Sequence, residues 1–210
     1  MRKLITICVI AVLITASGNA FAAWTEVGDA GELPGTAQVV SGSGPLTGIS
    51  GTISEDADMY QIYISDALGF SAQVTATNFD TQLFLFDASG MGVYANDDNG
   101  AILEPSLLPA GHPLGPTSAG TYYLAISAWD YDAYSSGGLI FPSGPFTEVV
   151  GPTEPGGGSP ISSWSGLSFI TGDYSIALTG AEHVIPAPGA LLLATVGLGV
   201  VGWLRRRRTL

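Results

Sequence analysis

Gln82-Leu83-Phe84-Leu85-Phe86, preceded by Asp80-Thr81 and followed by Asp87-Ala88-Ser89-Gly90, is the stretch that decides the fold. Successive side chains of a strand point to opposite faces, so these five residues are apolar on both sides. A strand of that kind belongs in the centre of a sandwich. The tetrad Asp87-Ala88-Ser89-Gly90 reads as a turn.

Working outward, the same period of two recurs. Tyr60, Ile62 and Ile64 alternate with Met59, Gln61 and Tyr63. Phe70, Ala72, Val74 and Ala76 share one face of a further strand. Residues 91–95 follow the turn as the next strand. Tyr122, Leu124, Ile126 and Ala128 alternate with Tyr123, Ala125 and Ser127, which places the first set in the core and Ser127 on the opposite face. Tyr174, Ile176 and Leu178 mark the last strand, at 173–179. The composition is rich in Gly, Ser, Thr and aromatics, with no long amphipathic stretch. The expected fold is all-β, a jelly-roll-like β-sandwich over residues 49–182.

Two stretches do not fit a compact sheet. Residues 23–48 read as a loosely held Gly-rich lead-in. Residues 141–165 hold Pro142, Pro145, Pro152, Pro155 and Pro160 with Gly156-Gly157-Gly158, and read as an insertion before the last strand. Its apolar residues Phe141, Phe146 and Trp164, with Ile140 just before it, are expected to pack onto the sandwich or to offer a contact surface.

The ends differ in kind from the middle. All 6 basic residues lie at the termini, and all 18 acidic residues lie between them. Arg2 and Lys3, an apolar run over 4–16 and the small-x-small site Ala20-Phe21-Ala22 read as a signal peptide over 1–22. The lone cysteine, Cys8, falls inside it, so the mature chain is expected to lack disulfides. At the other end Ile185-Pro186-Ala187-Pro188 leads into a charge-free run over 189–204, then Arg205, Arg206, Arg207 and Arg208. As a helix that run covers about 24 Å, close to a hydrocarbon core of about 30 Å. It reads as a transmembrane helix, with the arginines as its topology signal on the cytoplasmic side.

This tail over 183–210 resembles the PEP-CTERM sorting signal of Gram-negative bacteria, with Ala187 where that motif has Glu. The resemblance implies recognition by an exosortase near Pro186 to Pro188, after export through the Sec machinery and signal peptidase. The middle carries a second resemblance. Asp56-Ala57-Asp58-Met59-Tyr60, Asp80-Thr81-Gln82-Leu83-Phe84-Leu85-Phe86-Asp87, Asn96-Asp97-Asp98 and Gly120-Thr121-Tyr122-Tyr123 are similar, in order, to the bacterial pre-peptidase C-terminal domain. That family implies a jelly-roll-like sandwich which accompanies other activities and is rarely catalytic.

The residues give catalysis little to work with. Nothing reads as a nucleophile elbow, a zinc-protease helix or a phosphate loop. The mature domain has no Cys, Lys or Arg, which excludes thiolates, Schiff bases and guanidinium clamps. A net charge of −12 makes nucleic acid and anionic lipid poor partners. Carboxylates suit Ca²⁺, which takes six to eight oxygen ligands. The candidate ligands are Asp56 and Asp58, Asp97 and Asp98, and Asp130 and Asp132; the competing reading is solvated turn residues. Trp129, Tyr131 and Tyr134 form a candidate aromatic platform, and packing at a strand end is the competing reading there. No cofactor is required, and Ca²⁺ is the one candidate. The expected role is a non-enzymatic cell-surface or extracellular-matrix protein, with extracellular polysaccharide as the candidate partner. The alternative is a carbohydrate- or peptide-binding module at the cell surface, dependent on calcium.

Overall fold

The two-faced run takes the central position its pattern demands. In the computed structural model, which describes residues 23–167 and 169–185, it forms the strand β6 (Thr81–Asp87), buried from Thr81 to Phe86. The signal-peptide residues Ala20 and Ala22 lie outside the described residues. So do Pro186, Ala187, Pro188, the apolar run 189–204 and Arg205 to Arg208. Among the described residues no helix is long and apolar enough to cross a membrane.

The described residues are all-β, and the two larger sheets pack face to face. One sheet has the order β1 (Ala23–Thr25), β3 (Gly48–Ser54), β13 (Thr171–Thr179), β5 (Ser71–Thr77), β8 (Leu107–Leu108). The other runs β14 (Ala181–Glu182), β4 (Asp58–Ile64), β9 (Gly120–Ala128), β6, β7 (Gly92–Asn96), with β2 (Gln38–Val39) beside β4. Between them lies a core of Ile49, Ile53, Tyr60, Ile62, Ala72, Val74, Leu83, Leu85, Leu124, Ile126, Tyr174 and Ile176. The inward sets expected from β4, β9 and β13 all take their places there.

A third, smaller sheet of β11 (Gly138–Leu139), β10 (Tyr131–Ser135) and β12 (Ile161–Gly166) accounts for the other face of β6. A second core joins it to the central sheet: Met59, Phe84, Phe86, Ala95 and Ala125 against Ala133, Ile140, Phe141, Ile161 and Trp164. The insertion therefore packs, as one of its two readings held. Phe84 and Trp164 meet edge to face at 5.2 Å, and Phe86 meets Phe141 likewise at 5.8 Å. Only Phe146 of the insertion's large apolar residues stays exposed.

Three expectations are corrected. The lead-in is part of both sheets, through β1 parallel to β3 and β2 parallel to β4, and it buries Ala30, Val40 and Leu46. Ala76 is exposed, because the pairing of β5 with β13 shifts between Ser175 and Ile176 and the face turns over after Val74. Ser127 does face away from the main core, but that side is covered, and its hydroxyl donates to the carbonyl of Tyr131 at 2.8 Å.

Candidate functional site

Register brings the carboxylates together. Thr81 of β6 pairs with Ala128 of β9, and Leu83 pairs with Asn96 of β7, so three strand ends meet at one edge. Asp80 precedes β6, Asp97 and Asp98 follow β7, and Trp129 and Asp130 follow β9. The Trp129 amide donates to the Asp80 carbonyl at 3.0 Å, which locks two of those ends. Asn96 is the buried tie of the turn. Its Nδ2 donates to the carbonyls of Asp98 and Glu148, and its Oδ1 accepts from the Leu107 amide at 2.8 Å.

Carboxylate oxygens of Asp80, Asp97 and Asp98 lie within 4.8 Å of one another, a spacing that suits a metal ion. Asp98 is buried and one of its oxygens accepts the Leu103 amide at 2.8 Å. Oδ1 of Asp97 is enclosed and has no hydrogen-bond partner among the described residues. Burial pushes the Asp97 carboxyl up to about 7, and Asp98, Asp80, Asp132 and Asp130 add to it. Burial likewise raises Asp132 to about 6, opposed by a hydrogen bond from Gln82 and aided by Asp130. Asp80 and Asp98 are raised too, by burial first. With no Lys or Arg from residue 4 to 204, the cluster's charge is offset only by protons or by a cation from outside.

A cleft of about 260 Å³ opens over this cluster, lined by Asp80, Asp97, Asp98, Ile102, Leu103, Trp129 and Phe146. Trp129 and Phe146 are 41% and 42% exposed and both line the cleft. Leu103 holds a φ of 67°, a left-handed conformation costly for a branched side chain, and the hydrogen bond its N–H donates to the Asp98 carboxylate holds it there.

A second group lies elsewhere. Glu26, Asp29 and Asp58 have carboxylate oxygens within 4.8 Å of one another. Asp58 is 1% exposed and accepts a hydrogen bond from the Tyr174 hydroxyl, which also meets that of Tyr60. Burial pushes its carboxyl up to about 8, with Glu26, Asp56 and Asp29 adding to it against the Tyr174 bond. Asp56 instead accepts the Ser54 amide in a local turn.

The sequence candidates are thus regrouped. Asp97 and Asp98 do sit together, joined by Asp80, and Asp130 and Asp132 act electrostatically on Asp97. Asp56 and Asp58 are separated, and Glu26 and Asp29 take Asp56's place. Asp80 begins a motif-bearing strand, but its role comes only from register. The aromatic platform does not assemble: Tyr131 stacks on Trp164 at 5.9 Å with its hydroxyl on Glu32, and Tyr134 is half-buried in β10. Trp129 alone reaches the cleft, where Phe146 is its aromatic companion. His112 stacks on Tyr94 and accepts the Leu114 amide, and His183 is buried against Gly44; neither belongs to a carboxylate group. Ile185, the first residue of the expected sorting motif, is exposed.

No protein-family model matches the chain, and no curated protein or solved structure does either.

Proposed function

We propose that the chain is an exported, non-enzymatic protein of a Gram-negative cell surface or extracellular matrix, whose folded domain binds carbohydrate with the help of calcium. The observation that carries the binding half is the cleft in which Trp129 and Phe146 stand over Asp80, Asp97 and Asp98. A ring face stacks on the apolar face of a sugar, and carboxylates accept from its hydroxyls. Calcium fits the donor set, because the cluster offers only oxygens and leaves Asp97 Oδ1 without a partner among the described residues. Asp80, Asp97 and Asp98 would hold it, with coordination positions left for water or hydroxyl groups.

The delivery half rests on the sequence of the ends. A signal peptide, the Ile185-Pro186-Ala187-Pro188 motif, an apolar run and Arg205 to Arg208 together read as a tail for an exosortase. Two facing all-β sheets with the orders β3-β13-β5-β8 and β4-β9-β6-β7 support a jelly-roll reading of the sandwich, the fold that the resemblance to pre-peptidase C-terminal domains implies.

A glycan array read with calcium and with chelator tests the binding half. Selective binding that needs calcium and is lost in Trp129→Ala supports it. Absence of binding by the native chain overturns it and leaves a structural role in the matrix. Replacing Arg205 to Arg208 with Ser tests the delivery half, since unchanged membrane fractionation and processing would remove it.

A further inference from the structure

Three asparagines of this chain are described, and the structure treats them very differently. Asn96 is 3% exposed, with its amide tied at both ends to Asp98, Glu148 and Leu107. Asn78 is exposed but precedes Phe79, whose bulk hinders any attack by its own amide nitrogen; that amide also donates to Thr77 Oγ1. Asn99 is exposed, its side chain makes no hydrogen bond among the described residues, and the next residue is Gly100. Gly100 has a φ of 81°, and a side chain built there would meet nothing within 4 Å. The two residues thus share an exposed turn in which the glycine is uncrowded.

We propose that Asn99 is a self-modification site, deamidating through a cyclic imide with Gly100 and so changing the loop that walls the carboxylate cleft. The Gly100 amide nitrogen, losing its proton to base, attacks Cγ of Asn99. The new N–Cγ bond forms as the Cγ–Nδ2 bond breaks, and ammonia leaves carrying a proton. Water then opens the ring. Cleavage of the new bond gives aspartate, and cleavage of the original peptide bond gives isoaspartate with its backbone routed through Cβ. No oxidant or reductant is involved. The contacts that must yield are few: Gly100 N–H to the Asp98 carbonyl at 3.1 Å, and Asn99 N–H to the Glu104 carbonyl at 3.4 Å.

The position gives the change its consequence. The loop from Asn99 to Glu104 carries Ile102 and Leu103, two walls of the cleft, and it is anchored by Asp98 through Leu103. Aspartate at 99 adds a carboxylate directly beside Asp98. Isoaspartate adds a backbone carbon inside the anchored loop and moves the two apolar residues. The chemistry itself stands whether or not the cleft binds glycan.

The test uses the full chain, held in neutral and in mildly alkaline buffer, then digested after glutamate and sequenced by mass spectrometry. Transfer of a methyl group by an isoaspartate-specific methyltransferase gives an independent readout. The expected result is an amide-to-acid mass gain confined to Asn99, faster at the higher pH, with isoaspartate present and the signal gone in Asn99→Gln. Asn78→Gln should leave it intact. A native chain that keeps its mass while the urea-unfolded chain deamidates at Asn99 would show that the turn protects the site, and the proposal falls. Modification at Asn78 or Asn96 at an equal rate also defeats it.

Discussion

Leu85 and Phe86 are adjacent, fully buried and on opposite faces of β6, so truncating each in turn reads the two cores separately. Leu85 lies in the core between the two large sheets. Leu85→Ala should cost about 2–5 kcal/mol, transfer and cavity terms together. Phe86 points the other way, with Phe84, Phe141 and Trp164 rings at 6.4, 5.8 and 6.5 Å. Phe86→Ala should cost about 3–5 kcal/mol, because it opens a void among three aromatic partners. On a domain of this size such a loss lowers the melting midpoint by roughly 6–20 °C. Urea titration of the full chain, followed by tryptophan fluorescence, measures both variants, and Trp164 reports on the second core directly. A two-layer sandwich makes a different forecast: Phe86 would face solvent, and its truncation would fall within about 0.5 kcal/mol of neutral. If Leu85→Ala is costly and Phe86→Ala is not, the three-stranded sheet does not cover β6 and the second core is wrong.

Other consequences are as direct. The carboxyl of Asp58 is raised by burial from 3.8 to about 8, so between those values the folded state holds a proton that the unfolded state has released. Its contribution is full below about pH 4, falls as pH rises, and is gone above about pH 8, at up to about 1.4 kcal/mol per unit. Asp58→Asn keeps a neutral acceptor for Tyr174, and its melting midpoint should fall less than that of the native chain over this window; equal slopes would refute the burial argument. Ca²⁺ should stabilise the chain beyond NaCl at matched ionic strength, by about 2.7 kcal/mol at a hundredfold its Kd and so with a higher melting midpoint, and Asp80→Ala or Asp97→Ala should erase the excess. Ser127→Ala leaves the Tyr131 carbonyl without its donor and should cost about 1–3 kcal/mol, whereas an exposed serine would cost next to nothing in the same urea titration.

How much of this was legible depends on how far each signal is local. The two-sided run of β6 and the alternation of β4, β9 and β13 are written residue by residue, and the structure follows them. β3 is not written that way: only Ile49 and Ile53 point inward, and Gly51 stands between them because the Tyr174 ring and the Glu26 carboxylate occupy the place of a side chain. The third sheet is fainter still. Just two of six residues in β12 are buried, and its partners β10 and β11 are short, so proline and glycine dominate the pattern there. Yet the need for that sheet was legible, since a strand apolar on both faces requires two covers.

The site divides along the same line. Asp97 and Asp98 announce themselves as a turn, but Asp80 joins them through the pairing of Thr81 with Ala128 and Leu83 with Asn96, which no local pattern encodes. Trp129 parts from Tyr131 for a similar reason: β10 begins at Tyr131, and its ring turns onto Trp164 in the second core. The absence of internal cations was plain from composition, and its consequence appears only with burial. Each carboxylate that the fold encloses must be neutralised by a proton or by an ion from solution. Asp58 is enclosed with a tyrosine donor and is held as the acid up to about pH 8. Asp97 is raised to about 7, has an oxygen with no hydrogen-bond partner among the described residues, and opens toward a cleft. The opening and the unpaired oxygen, more than the proton affinity, make Asp80, Asp97 and Asp98 the group at which the proposed calcium would be sought first, ahead of Glu26, Asp29 and Asp58.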